Sequence, residues 1–162
     1  MKRIIFHWSA GTHKASELDK KHYHFIVEGD GTVVTGKYKP EDNLSTADGV
    51  YAAHTLNCNK DSIGISLACM AGAVEAPFSS GKYPMTKAQW DAGVALGAKL
   101  AKLYKIPVST KTVLSHAEVQ GTLGIKQKGK WDFTRLSWAP DVKGATACGN
   151  LLRNQIEKEL NK

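Results

Sequence analysis

The sequence predicts an α/β fold: a mixed central β-sheet flanked by helices, in a single domain spanning residues 1–162. Three observations predict it. Short apolar or β-branched runs alternate with longer helical patterns, the order expected when helices cover a sheet. The chain has 162 residues, and one domain usually holds about 100–200. Apolar residues make up 42% and charged residues 23%, which supports a buried core and excludes a disordered or collagen-like chain.

The elements follow in order. Ile4–Trp8 is a short apolar run and reads as a buried strand. Ser16 is placed to cap a short helix through Lys21. His22–Glu28 alternates, Gly29-Asp-Gly31 makes a tight turn, and Thr32–Thr35 returns, which together predict a β-hairpin. Residues 36–61 are polar and read as a long loop with a helical turn around Ala47–Ala53. Ser62–Ala68 is the central strand, and 71–85 is loop again.

Thr86 and Gln89 form a capping box for the next helix. Its apolar stripe runs through Trp90, Val94, Gly97, Ala101 and Tyr104, joined by Leu96, Leu100 and Leu103. That stripe reads as core rather than as a cofactor site. Pro107 stops the helix. Thr112–Ser115 is a short strand, and a last helix spans about Ala147–Leu160 with Leu152, Ile156 and Leu160 inward.

The net charge is +7, from 22 basic and 15 acidic residues. This favours an anionic partner. Nineteen of the basic residues are Lys and only three, Arg3, Arg135 and Arg153, are Arg. Reading of base edges favours the Arg fork, so no specific nucleic-acid partner is expected. No run reaches the 18 apolar residues of a membrane span, so no stable membrane insertion is expected. The first residues are not expected to act as a signal peptide. Three cysteines, Cys58, Cys69 and Cys148, make no disulfide framework and fit a reducing compartment.

The chemistry centres on six histidines. His7 and His116 each follow a predicted strand, and strand ends at one sheet edge are where sites gather in α/β folds. A carboxylate follows in Gly129-Lys-Trp-Asp132. Two imidazoles and a carboxylate form a ligand set that leaves one zinc position open, as hydrolytic zinc requires. A competing pair, His22 and His24, shares one face of the predicted hairpin strand. Cys58 or Cys69 is a further alternative as thiolate ligand, and His13 reads as a solvated loop residue. Tyr23 and Glu118 are the candidates for proton transfer.

These residues resemble a known family. Phe6-His-Trp-Ser-Ala10, His22-Tyr-His-Phe-Ile26 with Gly29-Asp-Gly-Thr32, Asn59-Lys-Asp-Ser-Ile-Gly-Ile65, Ser115-His-Ala-Glu-Val119 and Lys130-Trp-Asp132 occur in the order found in zinc-dependent N-acetylmuramoyl-L-alanine amidases of type 2. This superfamily includes phage lysozyme-like amidases and peptidoglycan recognition proteins. The resemblance implies one Zn²⁺ ion held by His7, His116 and Asp132. It implies that Lys130 stabilises the oxyanion and that Tyr23 is the catalytic tyrosine. It places His54, with Asn57 nearby, against the substrate. The family often has Pro-Gly or Pro-Ser after the third ligand, where this chain has Phe133-Thr134. The stretch Thr122–Gly129 lengthens the gap between His116 and Lys130.

The resulting expectation is hydrolysis of the amide between N-acetylmuramic acid and L-alanine in bacterial peptidoglycan. The setting implied is a phage or prophage endolysin, monomeric, without a separate wall-binding domain. It would stay in the host cytoplasm until a holin-type pore releases it to the wall. The alternative reading is a non-catalytic peptidoglycan-binding module.

Overall fold

The computed structural model describes residues 1–162 and contains a five-stranded sheet with order β3-β2-β4-β1-β5. The strands are β1 (Arg3–Trp8), β2 (Phe25–Val27), β3 (Val33–Thr35), β4 (Ser62–Leu67) and β5 (Val113–Ser115). The β1, β2, β4 and β5 strands run parallel, and only edge strand β3 is antiparallel, paired to β2. The helices are α1 (Glu17–His22), α2 (Lys87–Leu103), α3 (His116–Leu123) and α4 (Ala145–Leu160). The mixed sheet flanked by helices is the architecture the sequence predicts.

The two faces of the sheet are unequal. Ile4, Phe6 and Trp8 of β1 alternate onto one face, with Ile63, Ile65 and Leu67 of β4. They join Trp90, Val94, Leu152 and Ile156 of α2 and α4 in the main core. Gln89 fixes α2 to the sheet by donating from Nε2 to the carbonyls of Val27 and Ala68 at 3.1 and 3.0 Å. The other face carries Ser62, Gly64 and Ser66 of β4, all small. Beneath them Ile5, Leu114, Cys58 and Val119 form only a four-residue cluster. Small side chains on this face leave room for polar groups from the 36–61 loop. At Gly64 the space is filled by the His54 ring: a Cβ there would lie 2.6 Å from His54 Cγ.

Several expectations are corrected. The helical turn lies at Pro40–Leu44, as a 3₁₀ turn, and not at Ala47–Ala53. Pro40 sets the turn because its fixed φ suits the first helical position. Helix α1 runs through His22, and Tyr23 is its extended C-cap, so β2 begins only at Phe25. Residues 116–123, given no element in the sequence reading, form α3, closed by Gly124 at φ +71°. Leu103 is 65% exposed and is not part of the core stripe. All three cysteines are buried and free.

Two buried polar links tie loops and helices to the sheet. His24 accepts from the Gly64 N–H at Nδ1 (3.0 Å) and donates from Nε2 to Asn43 Oδ1 (2.9 Å). Asn43 in turn donates to the carbonyls of Ala52 and Asn59, holding the 36–61 loop. Burial lowers the His24 pKa to about 4, against the partial opposition of its Asn43 bond. On the other side, Arg153 of α4 pairs with Glu118 of α3 at 2.9 Å and donates to the Val113 carbonyl at 3.0 Å. The Glu118 carboxylate also caps α3 by accepting from the Ser115 N–H at 3.0 Å. It lies against Gly149, where a Cβ would stand 2.2 Å from Oε1.

Two predictions follow from these links. Replacing Arg153 by Met leaves the Glu118 charge buried and unpaired, and should cost about 3–5 kcal/mol in urea unfolding; a loss under about 1 kcal/mol would contradict the pairing. His24 binds its proton more readily unfolded than folded, so stability is lost as pH falls from about 6.5 towards 4. The loss for this group is about 3 kcal/mol by pH 4. His24→Gln should therefore lose less stability than the parent between pH 7 and pH 4; equal slopes would overturn the assignment.

Candidate metal centre and cleft

Register carries the site. Strands β1 and β5 pair in parallel with Ile4 opposite Val113 and Phe6 opposite Ser115. The next positions along are His7 and His116. His7 is the penultimate residue of β1, and His116 opens α3 directly after β5. Both imidazoles therefore meet on the small-residue face at one end of the sheet. Their Nδ1 atoms lie 3.0 Å apart. Asp132, from the loop after α3, brings Oδ2 to 3.4 Å from each. All three residues are buried.

These spacings suit a metal ion. Four ligands at about 2.0–2.1 Å from a tetrahedral zinc stand about 3.3–3.4 Å from one another. The donor set of two imidazoles and one carboxylate is also that of hydrolytic zinc sites. The residues therefore fit the ion that the sequence resemblance implies.

The electrostatics of the cluster favour cation binding. Burial lowers the His7 pKa to about 4, although contact with Asp132 works against it, so the ring is neutral at pH 7. Burial would raise the Asp132 carboxyl, but its contacts with His116 and His7 hold it well below the usual carboxylate range. Asp132 is thus an anion at neutral pH. His54 is also held neutral, first by burial and then by the neighbouring His7 and His24 rings.

A cleft of about 760 Å³ opens over the cluster. His116 and Asp132 line it, and His7 lies just beneath. Its walls include Tyr51, Leu56 and Asn57 of the loop before β4 and Gln127, Lys130 and Trp131 of the loop after α3. Tyr23 also lines it, with its ring 5.2 Å from that of His7. Burial pushes the Tyr23 hydroxyl pKa up, and the charges of Asp132 and Asp19 add to this. The hydroxyl therefore keeps its proton. Lys130 is exposed at the mouth, close enough for its charge to be felt at His7.

The structure thus brings together His7, His116, Asp132, Tyr23 and Lys130 from four separate segments, Lys130 and Asp132 sharing the loop after α3. Tyr23 reaches the cleft from a helix cap rather than from the hairpin strand. His54 lines the cleft floor but is only 7% exposed, and its Nδ1 lies 3.2 Å from His7 Nε2. Asn57 is exposed on the wall at φ +55°. The neighbour that shapes this loop is Asn59, whose Oδ1 accepts from the His54 and Thr55 N–H groups at 2.9 and 2.8 Å. Other candidates lie apart. His22 and His24 do not pair, because His22 binds the Ala53 carbonyl and His24 the Asn43 side chain. His13 is half-buried against Tyr83, within 2.8 Å of the Pro84 carbonyl. Cys58 and Cys69 lie outside the ligand cluster, and burial pushes the Cys69 thiol up. Glu118, one of two candidates for proton transfer, is locked to Arg153.

Sequence reasoning missed Gln127. Its Oε1 lies 2.8 Å from His116 Nε2, and its Nε2 donates to the Leu56 carbonyl at 2.8 Å. It sits in the stretch that lengthens the gap to Lys130, where no pattern marks one polar residue over another.

Comparison with known proteins places the chain. No curated protein matches it. Among solved structures, the Ph2119 endolysin from Thermus scotoductus MAT2119 bacteriophage Ph2119 is 19% identical, with a TM-score of 0.50 over 74% of this chain and 73% of that one. The N-acetylmuramoyl-L-alanine amidase LysC from Clostridium intestinale URNW is 16% identical, with a TM-score of 0.47 over 77% and 86%. The E. coli amidase AmiD, solved with anhydro-N-acetylmuramic acid-L-Ala-D-gamma-Glu-L-Lys, is 24% identical, with a TM-score of 0.48 over 72% of this chain and 48% of that one. The likeness to the Ph2119 endolysin, at this identity, is one of fold. The family model Amidase_2, described as N-acetylmuramoyl-L-alanine amidase, matches residues 1–133, which is most of the chain. The chain belongs to the N-acetylmuramoyl-L-alanine amidase family.

Proposed function

We propose that this protein is a zinc-dependent hydrolase of the amide joining the lactyl group of N-acetylmuramic acid to L-alanine in peptidoglycan. The observation that carries the reading is the convergence of His7 Nδ1, His116 Nδ1 and Asp132 Oδ2 within 3.4 Å beneath an open cleft. Family membership supplies the bond class.

In this reading His7, His116 and Asp132 hold one Zn²⁺, which when bound supplies Lewis acidity and an activated water. The remaining chemistry belongs to side chains of the cleft. An amide carbonyl gains negative charge as it is attacked, and a fixed cation or O–H donor nearby stabilises that charge. Lys130 at the mouth is the cation. Tyr23 lines the cleft with its ring 5.2 Å from that of His7, and its hydroxyl is the O–H donor. Glu118 takes no part, since its two oxygens are committed to Arg153 and the α3 cap. Trp131 and Tyr51, both lining the cleft, offer apolar surface for a sugar–peptide junction. His54 and Asn57 lie on the floor and wall that such a substrate would cover.

Lys128 and Lys130 on one wall, with a net charge of +7, suit an anionic wall polymer. The biological setting we propose is phage or prophage lysis by a monomer, reaching the wall from the host cytoplasm through a holin-type pore. No helix is long and apolar enough to cross a membrane.

Two substitutions test the division of labour, with zinc content and turnover measured on the same samples. His7→Ala should lose both bound zinc and lysis. Lys130→Ala should keep one zinc per chain while kcat falls about 10²–10³-fold. Lysis by His7→Ala would remove it from the centre. An unchanged kcat in Lys130→Ala would remove the oxyanion role.

A further inference from the structure

The hydrogen bonds behind the cluster dictate where the imidazole protons sit. Gln127 is 5% exposed and lies between His116 and the Leu56 backbone carbonyl. A carbonyl has no proton to give, so the amide nitrogen must face it, and Oε1 must face His116. Oε1 is an acceptor, so His116 carries its proton on Nε2 and donates it there. Its Nδ1 is left with a bare lone pair. Nδ1 is the atom 3.4 Å from Asp132 Oδ2.

A second chain repeats the logic on His7. His54 Nε2 lies 3.2 Å from the Ser62 carbonyl and must donate to it. His54 Nδ1 is therefore an acceptor, 3.2 Å from His7 Nε2 and 2.8 Å from Thr55 Oγ1. The Thr55 hydroxyl donates to that Nδ1, so His7 Nε2 faces only acceptors, His54 Nδ1 and, at 3.4 Å, Thr55 Oγ1, and it carries the proton. Again Nδ1 is bare, and again it faces Asp132. Each chain ends on a main-chain oxygen, one before β4 in the 53–59 loop and one at the start of β4. Three lone-pair atoms then converge with no proton between them, an arrangement that a cation relieves.

We propose that Gln127 and His54 are positioning residues that fix both ligand imidazoles as Nε2–H tautomers, so that both Nδ1 atoms are presented to the metal. The proposal rests on reading the cluster as a zinc centre. It gives the stretch lengthening the gap to Lys130 a role: it supplies the partner of His116. Partners of this kind usually change metal affinity by about 10–100-fold. The same Gln127 amide joins the two walls of the cleft, so loss of a tether must be told apart from loss of the acceptor.

The experiment compares the parent with Gln127→Met and Gln127→Glu. Zinc affinity is measured by competition with a chromophoric chelator, and imidazole tautomers by ¹⁵N–¹H NMR of the metal-free proteins. The parent should show His7 and His116 in the Nε2–H form. Gln127→Met should weaken zinc binding about 10–100-fold and release His116 from a single tautomer. Gln127→Glu keeps an acceptor for His116 but loses the donor to Leu56, and should hold zinc within about threefold of the parent, because the acceptor alone sets the tautomer. Equal zinc affinity in Gln127→Met would overturn the proposal. Equal losses in both variants would also overturn it, reducing Gln127 to a loop tether. A parent His7 in the Nδ1–H form would overturn the role of His54. If the parent binds no zinc at all, the proposed function falls, while the tautomer spectra still decide the positioning role.

Discussion

The parallel pairing of β1 with β5 is the constraint on which the site depends. Its register sets Phe6 opposite Ser115 and so carries His7 and His116 to the same end of the sheet. A shift of one residue would send His7 to the opposite face, among Trp90, Val94 and Phe133. The register is secured by burial on both sides: Ile4, Phe6 and Val113 enter the main core, while Ile5 and Leu114 enter the smaller cluster. The Arg153–Glu118 pair then clamps α4 to the β5–α3 junction, one turn from His116. Packing far from the cleft thus decides the distance between two imidazole nitrogens.

The second determinant is what β4 omits. Ser62, Gly64 and Ser66 bring little volume to the site face, and His54 and Asn43 of the loop between β3 and β4 fill the space together with His24. His54 sits on Gly64, His24 accepts from the Gly64 N–H, and Asn43 gathers the loop around Ala52 and Asn59. Burial keeps His7 and His24 neutral at pH 7, so both serve as lone-pair donors or hydrogen-bond partners rather than as cations. Asp132 brings an anion to the cluster. Lys130 and the Tyr23 hydroxyl then face the cleft with protons to give.

Legibility in the sequence divided along the range of the interactions. Ile4–Trp8, Ser62–Ala68 and the Thr86–Gln89 box were readable because strand apolarity and helix capping are local signals. Helix α3 was not, because eight residues with a weak apolar stripe owe their helix to the Ser115–Glu118 cap and the Arg153 partner 35 residues on. Tyr23 was placed in a strand because its neighbours alternate, whereas the Ser16 box propagates α1 up to it. His7, His116, Asp132, Lys130 and Tyr23 were singled out by resemblance, and the fold sets them around one cleft. Between Tyr23 and Glu118 as proton carrier only resemblance favours Tyr23, and the pairing of Glu118 with Arg153 is the structural reason to set Glu118 aside. The contacts of Gln127 and His54 depend on partners 11 and 47 residues away, which no spacing rule reaches.

The central claim is that these groups cut one particular amide with the help of a metal. The most direct measurement is to digest purified peptidoglycan with the protein, with and without a chelator, and to identify the new ends by mass spectrometry. The account predicts free peptides beginning with L-alanine, lost on chelation and restored by added zinc. Cleavage at a sugar or inter-peptide bond, or no cleavage with zinc present, would contradict it.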